Sequence, residues 1–306
     1  TLLSHGFLHV PWTVALLLGA IITPTDPVVS SALVTGRVAE HHIPERLRSN
    51  LTLESVANDS LAYPLVLLPV LLLTHGPRAG EYWAVHTVLW GVIGAAVAGA
   101  ILGWIAGLAL NASYRRRDTD EASVLTIGFS LALLSLGGAK LMGSDGLLAV
   151  FTAGLAFRRS LMQDLEWREE RIQEAISRFF VLPAFTIFGL LVPWSAWRNL
   201  GWGGLFLAIS VLLLRRLPVV LLAGRWMPVM KDRLDRAVIG WFGPIGVAAL
   251  YYATLARRET GTDTPWAAAT LVVFASLCAH SLTPTPFSRL YGRLRSRRDA
   301  NRAKRP

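Results

Sequence analysis

The chain has 306 residues, of which 53% are hydrophobic and only 16% are charged. A soluble domain would carry about 25% charged residues, and two long stretches, 82–114 and 199–214, contain no Asp, Glu, Lys or Arg. Since a helix needs roughly 20 apolar residues to cross a bilayer, the composition excludes an ordinary soluble domain. The single cysteine, Cys278, excludes an intrachain disulfide.

The apolar pattern places nine membrane crossings along the chain. Connections with three or four Arg and Lys residues alternate with connections that have one or two, which predicts an external N-terminus and a cytoplasmic C-terminal tail. This distribution also accounts for the net charge of +10, so nucleic-acid binding is not expected. The chain starts without Met or a signal-peptide pattern, and we expect it to be a segment of a longer protein. The predicted crossings lie near 12–35, 51–74, 82–112, 121–139, 142–158, 173–193, 199–217, 237–256 and 265–283.

Two of these crossings contain residues that break helices. Non-helical backbone at membrane depth survives only where protein buries it or where it lines a water-filled cavity. One interrupted crossing in each half of a chain is typical of a transporter whose binding site is built from inverted repeats. The helix-breaking residues are Pro24 and Pro27 in the first crossing, and Gly243, Pro244 and Gly246 in the eighth.

Several carboxylates fall inside crossings, and among them Asp26 in the first and Asp59 in the second could face each other across adjacent helices. A charge at the bilayer centre costs about 2.5–3.5 kcal/mol, so such a group usually lines a cavity or has a partner. Two facing carboxylates repel each other, and the pair would hold either a proton or a hard cation. This competition predicts that one is exchanged for the other. Oxygen atoms of Thr25, Ser55 and Asn58 could complete the site.

Other ionisable residues allow structural alternatives. The sequence TPTDP could be an ordinary helix N-cap, although here the cap would lie at membrane depth. Glu54 is better explained by a structural ion pair with a distant Arg, and Asp145 lines the cavity or lies in a loop. For His41 and His42, a pH-sensing role competes with a solvated cytoplasmic loop.

Four stretches carry recognisable motifs: TPTDPVVSSALVTGRVAEHHIPERLRSNLTLESVANDSLAYPLV, GSDGLLAVFTAGLAF, LLLRRLPVVLL and GWFGPIGVAALYYA. They resemble the monovalent cation:proton antiporter family, and the closest match in motif is to the fungal plasma-membrane type and its bacterial relatives. The resemblance implies an all-α polytopic membrane protein, in which the nine crossings are the last nine of a thirteen-helix inverted-repeat fold. It also implies core helices at about 12–74 and 199–283, linker and interface helices at about 82–193, and a basic cytoplasmic tail at 289–306.

The resemblance further implies roles for individual residues. Asp26 and Asp59 would be the carboxylates that bind the cation and the proton, Thr25 and Ser55 would contribute oxygen atoms, and Asn58 would precede the second Asp. Glu54 would pair with Arg215 or Arg216, and Arg215 is the preferred partner. The sequence departs from many relatives at Ile245, where they have Arg, and from fungal members at Gly146, where they have a second Asp.

We therefore expect a secondary active antiporter rather than an enzyme. It would exchange Na⁺, Li⁺ or K⁺ for protons across the plasma (inner) membrane, without a cofactor, and as a homodimer when full length. The alternatives are a non-transporting remnant that serves as a scaffold, a cation channel, and an intramembrane aspartyl protease. The protease alternative is weakened because MGSDG lacks the Gly-x-Gly-Asp signature of such enzymes.

Overall fold

The computed structural model describes residues 1–26, 41–115, 121–161, 183–230 and 232–303. Within these ranges every regular element is a helix. In chain order the main helices are α1 (Leu2–Leu8), α2 (Trp12–Ile21), α3 (Glu45–Thr74), α4 (Ala95–Arg115), α5 (Glu121–Leu141), α6 (Gly146–Ser160), α7 (Trp194–Leu214), α8 (Leu217–Ala223), α9 (Arg233–Trp241), α10 (Val247–Thr260), α11 (Asp263–Leu282) and α12 (Pro284–Ala303).

Four helical segments of the described chain are long and apolar enough to cross a membrane. They are Glu45–Thr74, Gly76–Arg115, Trp194–Trp226 and Asp263–Leu282, and two shorter apolar helices are Trp12–Ile21 and Thr126–Leu141. This agrees with a polytopic helical membrane protein. The count of nine crossings and the inverted repeat stay predictions.

The helix boundaries differ from the predicted crossings where proline or glycine intervenes. The seventh crossing was placed at 199–217, but α7 begins at Trp194, directly after Pro193. The same helix is kinked at Gly201, which adopts φ 57° and ψ −149°, a backbone conformation that essentially only glycine reaches. α7 then ends at Leu214, and α8 starts again at Leu217.

The chain forms two compact units, and we describe each by itself. Unit 1 comprises Thr1–Asp59 and Val192–Pro306, and unit 2 comprises Ser60–Leu191. The helix α3 contributes its first part to unit 1 and its second part to unit 2. The assignment of these parts as core and linker helices remains a prediction.

In unit 2, α4 packs directly on the backbone of α6 through a row of glycines. A Cβ atom on Gly103 would lie 2.0 Å from the carbonyl oxygen of Ala153, and one on Gly99 would lie 2.2 Å from that of Ala149. Gly107 meets the side chain of Ser160 in the same way. This small-xxx-small spacing lets the two helices approach closely.

Replacing Gly103 by Ala should destabilise unit 2 by about 1–3 kcal/mol, because the added methyl group overlaps backbone that must move away. We expect a lower midpoint in thermal unfolding of the protein in detergent. Gly128→Ala is the matched control, since a Cβ at Gly128 in α5 meets nothing within 4 Å. Equal midpoints for the two variants would contradict the packing argument.

In unit 1, the C-terminal helix α12 docks on α9 and on the start of α3. Tyr291 of α12 lies in an apolar cluster with residues of α9, such as Ile239, and residues near the start of α3, such as Leu47. Burial, and then a hydrogen bond to the carboxylate of Asp235, raise the pKa of Tyr291 above its usual range. Part of the basic C-terminal segment therefore forms a helix that packs into the core of unit 1.

A buried carboxylate joins these three elements. Asp235 on α9 is fully buried, and its Oδ2 accepts a hydrogen bond from Nη2 of Arg46 on α3 at 2.6 Å. Its Oδ1 accepts one from the Tyr291 hydroxyl at 2.7 Å and lies 3.7 Å from Nη1 of Arg295 on α12. Arg46 also donates to the carbonyl oxygen of Val229. Charge and hydrogen bonding thus hold one end of the unit together.

Candidate functional site

The two interrupted crossings meet at Asp26. Helix α2 ends at Ile21, and residues 23–26 are not helical; residues 242–246 form a second non-helical stretch between α9 and α10. The backbone N–H of Asp26 donates to the carbonyl oxygen of Pro244 at 2.8 Å. Of the predicted helix-breaking residues, Pro24, Gly243, Pro244 and Gly246 lie in these stretches, and Pro27 lies outside the described residues.

The carboxylate of Asp26 lies at the beginning of α10. Asp26 is only 5% exposed, and its Oδ2 accepts a hydrogen bond from the N–H of Val247, the first residue of α10, at 3.0 Å. The N-terminus of a helix has free N–H groups and a partial positive charge, which both stabilise an anion. Local backbone geometry thus holds the carboxyl group of Asp26 in the interior of unit 1.

Side chains of α3 hold the backbone next to Asp26. The N–H of Thr25 donates to Oδ1 of Asn58 at 3.0 Å, and Nδ2 of Asn58 donates to Oγ1 of Thr25 at 2.7 Å. Oγ1 of Thr25 in turn donates to Oγ of Ser55 at 3.1 Å. The hydroxyl of Thr25 therefore has both a donor and an acceptor, and the three predicted oxygen ligands fix the segment that precedes Asp26.

Asp59 lies on α3, one turn after Ser55. Its Oδ1 is buried and has no hydrogen-bond partner among the described residues, and it follows Asn58, whose side chain binds Thr25 next to Asp26. Its backbone carbonyl oxygen accepts a hydrogen bond from the hydroxyl of Tyr252 on α10 at 2.9 Å. A buried carboxylate oxygen without a partner is costly, and a proton or a cation would satisfy it.

Arg215 binds the backbone of both interrupted crossings. Its Nη1 donates to the carbonyl oxygens of Ile22 at 2.5 Å and Thr23 at 3.1 Å, and its Nη2 donates to that of Gly243. Carbonyl groups at the C-terminal end of a helix lack helical partners and carry partial negative charge. The guanidinium group of Arg215 donates hydrogen bonds to carbonyl groups of this kind after α2 and after α9.

Glu54 pairs with Arg216, so the sequence-based preference for Arg215 was wrong. Nη2 of Arg216 donates to Oε2 of Glu54 at 2.7 Å, and Nη1 donates to Oε1, which makes a two-pronged ion pair. Nε of Arg216 donates to the carbonyl oxygen of Ile239 at 2.8 Å. Glu54 is thereby joined to α9 through Arg216.

Asp145 belongs to unit 2, where it is the N-cap of α6. Its Oδ1 accepts a hydrogen bond from the N–H of Leu147 at 2.9 Å, and the residue is 1% exposed. Capping gives it a structural role, and lining of a cavity stays a prediction.

His42 packs on α12, since a Cβ atom at Gly292 would lie 2.6 Å from its Nδ1, and its ring contacts His41 edge-on.

Three contributions to the site were not identified from the sequence. They are the Val247 N–H, the Tyr252 hydroxyl and the close approach of Gly246 to Asp26. The only signal for them was the interruption itself, because a break in a helix frees backbone groups that need partners. Glycine and tyrosine at these positions have no periodicity that would single them out.

Replacing Gly246 by Ala should disrupt the position of Asp26. A Cβ atom at Gly246 would lie 2.1 Å from Oδ2 of Asp26, so the carboxylate must leave the N-terminus of α10. We expect cation-dependent thermal stabilisation of the protein in detergent to be lost. Gly6→Ala is the matched control because a Cβ at Gly6 meets nothing within 4 Å, and an equal response of both variants would contradict the geometry.

Comparison with known proteins agrees with the resemblance seen in the motifs. The family model described as "Sodium/hydrogen exchanger, transmembrane" matches residues 1–290. The chain is 33% identical over 264 residues to Na(+)/H(+) antiporter 2 of Zygosaccharomyces rouxii, which covers 82% of this chain. It is 31% identical over 265 residues, or 83% of this chain, to the Na(+)/H(+) antiporter of Saccharomyces cerevisiae. A K(+)/H(+) antiporter of Shewanella oneidensis is 25% identical over 91% of this chain.

The chain is shorter than these relatives. It covers 32% of the Zygosaccharomyces protein, 27% of the Saccharomyces protein and 47% of the Shewanella protein. The family match nevertheless extends over nearly the whole chain and includes both interrupted crossings. The chain belongs to the transmembrane sodium/hydrogen exchanger family, which is a family of transporters and not of enzymes.

Proposed function

We propose that the protein exchanges a monovalent cation for protons, and that Asp26 and Asp59 bind both. The observation that supports this most directly is the buried Oδ1 of Asp59, which lacks a hydrogen-bond partner among the described residues. Asp59 follows Asn58, whose side chain binds Thr25 next to Asp26. Antiporter names among the relatives, for both Na⁺ and K⁺, support the same class of reaction.

The exchange follows from competition for two carboxylates. When both are ionised they repel each other, and this repulsion is relieved by a cation between them or by a proton on one of them. Occupation by one ion therefore disfavours the other. In this scheme Asp26 is held at the helix N-terminus by Val247, while Asp59 provides the oxygen that takes up the proton or the cation.

The neighbouring residues maintain the geometry of the site. Thr25, Ser55 and Asn58 hold the backbone beside Asp26, and the ion pair of Glu54 with Arg216 keeps α3 against α9. These residues would select the cation by fixing the distance between the carboxylates of Asp26 and Asp59. Glu54, Ser55 and Asn58 lie on the same helix as Asp59. Na⁺ is the proposed cation, and Li⁺ and K⁺ are the alternatives.

The proposal includes the setting in which exchange takes place. We infer a multi-pass protein of the plasma (inner) membrane, embedded in the lipid bilayer, with its basic C-terminal tail in the cytoplasm and a homodimeric state when full length. The alternation of charge between successive connections supports this orientation. Protons and monovalent cations are the transported partners, and no cofactor is involved.

The test is to measure proton movement in inverted vesicles that contain the full-length protein. A pH-sensitive dye should report alkalinisation of the acidified lumen when Na⁺ is added, and separate additions of Li⁺ and K⁺ would establish which cations are accepted. Choline is the control for ionic strength. Cation currents without proton movement would favour a channel instead, and the absence of any response from inserted protein would favour a scaffold.

A further inference from the structure

Helix α11 binds the backbone on both sides of the break between α9 and α10. The N–H of Ile245 donates to Oγ of Ser276 at 2.8 Å. On the other side of the break, Nε2 of His280 lies 2.9 Å from the carbonyl oxygen of Trp241, the last residue of α9. The carbonyl oxygen of Trp241 also accepts the N–H of Gly243 at 3.0 Å, so His280 adds a second contact there, whereas Ser276 supplies the acceptor for the N–H of Ile245.

Ser276 and His280 are neighbours on one face of α11 because they are four residues apart. Ser276 is fully buried and His280 is 2% exposed. Polar side chains in such an apolar environment are costly unless they form hydrogen bonds. Both side chains find their partners at the break, and neither takes part in the exchange scheme above.

The hydrogen bonds form a continuous chain across the break. Nδ1 of His280 lies 3.2 Å from Oγ of Ser276 and 2.9 Å from the backbone carbonyl oxygen of the same residue. With the proton on Nε2, His280 donates to the carbonyl oxygen of Trp241 and its Nδ1 accepts from the Ser276 hydroxyl; with the proton on Nδ1, it donates to the backbone of Ser276 instead. In the first tautomer the Ser276 hydroxyl, which accepts from Ile245, joins the two ends of residues 242–246 through the side chains of α11.

This segment determines where Asp26 is held. Pro244 lies one residue before Ile245 and accepts the N–H of Asp26, while Val247 lies two residues after it and donates to the carboxylate. A shift of Ile245 therefore displaces both hydrogen bonds to Asp26. Trp241 has further contacts on the same side, since its Nε1 donates to Oγ1 of Thr283 at 3.1 Å and its ring stacks on Phe287. The end of α9 is thus held independently, while the N–H of Ile245 depends on Ser276.

We propose that Ser276 and His280 are positioning residues for the cation site, acting through the backbone of residues 242–246. The proposal rests on the proposed cation/proton exchange at Asp26. In this proposal, α11 fixes the length and the backbone path of the second interruption, residues 242–246. Neither residue contacts the transported ion.

The first measurement is hydrogen–deuterium exchange of a peptide that covers 242–250, in the full-length protein. Ser276→Ala should increase exchange at Ile245 by roughly tenfold, the effect of losing one hydrogen bond worth about 1.4 kcal/mol. Ser276→Thr keeps the hydroxyl and should behave like the unmodified protein. Ser281→Ala is the matched control, because Ser281 is exposed on the same helix.

The second measurement is Na⁺-dependent proton movement in vesicles. We expect Ser276→Ala and His280→Leu to raise the half-saturating Na⁺ concentration by roughly tenfold, with the maximal rate per inserted molecule changed much less. His280→Gln keeps an N–H near the position of Nε2 and should restore most of the affinity. A merely structural defect would lower the maximal rate through fewer folded molecules and leave half-saturation unchanged.

The two measurements separate the possible failures. Unchanged deuterium uptake at Ile245 in Ser276→Ala would overturn the positioning role whatever the transport result. Increased uptake with unchanged half-saturation would also overturn it, since the break would then loosen without affecting the site. If the unmodified protein moves no cation at all, the exchange function fails, while the deuterium measurement still decides whether α11 fixes the break.

Discussion

Replacing Asp26 by Asn should reduce cation-dependent proton exchange by at least about 100-fold, because removing one partner from a buried charged contact costs about 3 kcal/mol or more. The substitution is nearly isosteric, and the amide oxygen of Asn can still accept the hydrogen bond from Val247. The crossing of the two interrupted segments should therefore persist. The measurement is the dye response in vesicles, normalised to the amount of inserted protein.

Asp263→Asn is the matched control for this prediction. It makes the same chemical change on a carboxylate that pairs with Arg257 at the surface, where the Asp263 side chain is 72% exposed, and it should leave exchange unchanged. Asp59→Asn should resemble the Asp26 variant. Undiminished exchange in both Asp26→Asn and Asp59→Asn would eliminate these carboxylates as the binding groups.

Replacing Asp235 by Asn should lower the free energy of unfolding by about 3–5 kcal/mol, the usual cost of leaving buried positive groups without their counter-charge. Asp235 is fully buried, whereas Arg46 and Arg295 are partly exposed, so the lower end of this range is expected. The loss should appear as a lower midpoint of thermal unfolding in detergent. It should also release α12, detected as faster proteolysis near Arg295.

The surface pair of Arg257 and Asp263 serves again as the comparison. Exposed ion pairs contribute about 0–1 kcal/mol because both charges are well hydrated when apart, so Asp263→Asn should shift the midpoint much less than Asp235→Asn. Comparable shifts would mean that the Asp235 cluster contributes no more than an ordinary surface contact. An intact α12 in the Asp235 variant would indicate that apolar packing alone holds this helix.

The sequence predicts elements of this fold where a single physical rule dominates. Long uncharged runs must be helical in a bilayer, because every backbone polar group needs an internal partner. The interruptions near Pro24 and Pro244 follow equally directly, since proline removes a donor and obstructs the preceding turn. Asp26 and Asp59 could be singled out because ionisable groups at membrane depth are rare and need a reason.

The partner of Glu54 could not be determined in the same way. Adjacent residues on a helix point about 100° apart, so Arg215 and Arg216 must face different surroundings, and the choice depends on helix phase. Here α7 ends at Leu214 and α8 starts at Leu217, so the phase changes at these two residues. A pattern read along α7 therefore gives no information about which arginine reaches α3.

Contacts between residues that are far apart in the chain could not be predicted from the sequence either. The hydrogen bond from Val247 to Asp26 joins residues 221 positions apart, and that from Tyr252 to Asp59 joins residues 193 apart. Local propensity says nothing about such pairs. The docking of α12 is a similar case, because a basic segment after the last crossing resembles a solvated tail until its buried partner, Asp235, is seen.

The bonding of Arg215 has a mechanical consequence. The guanidinium group of Arg215 donates hydrogen bonds to carbonyl oxygens of both interrupted crossings. The acceptors are Ile22 and Thr23 in the first crossing and Gly243 in the eighth. Sliding either non-helical segment past the other would break several of these hydrogen bonds to a charged group at once. We therefore expect the two non-helical segments to move together as one rigid unit, and in the proposed exchange a bound cation would keep its ligands from these segments throughout the transport cycle.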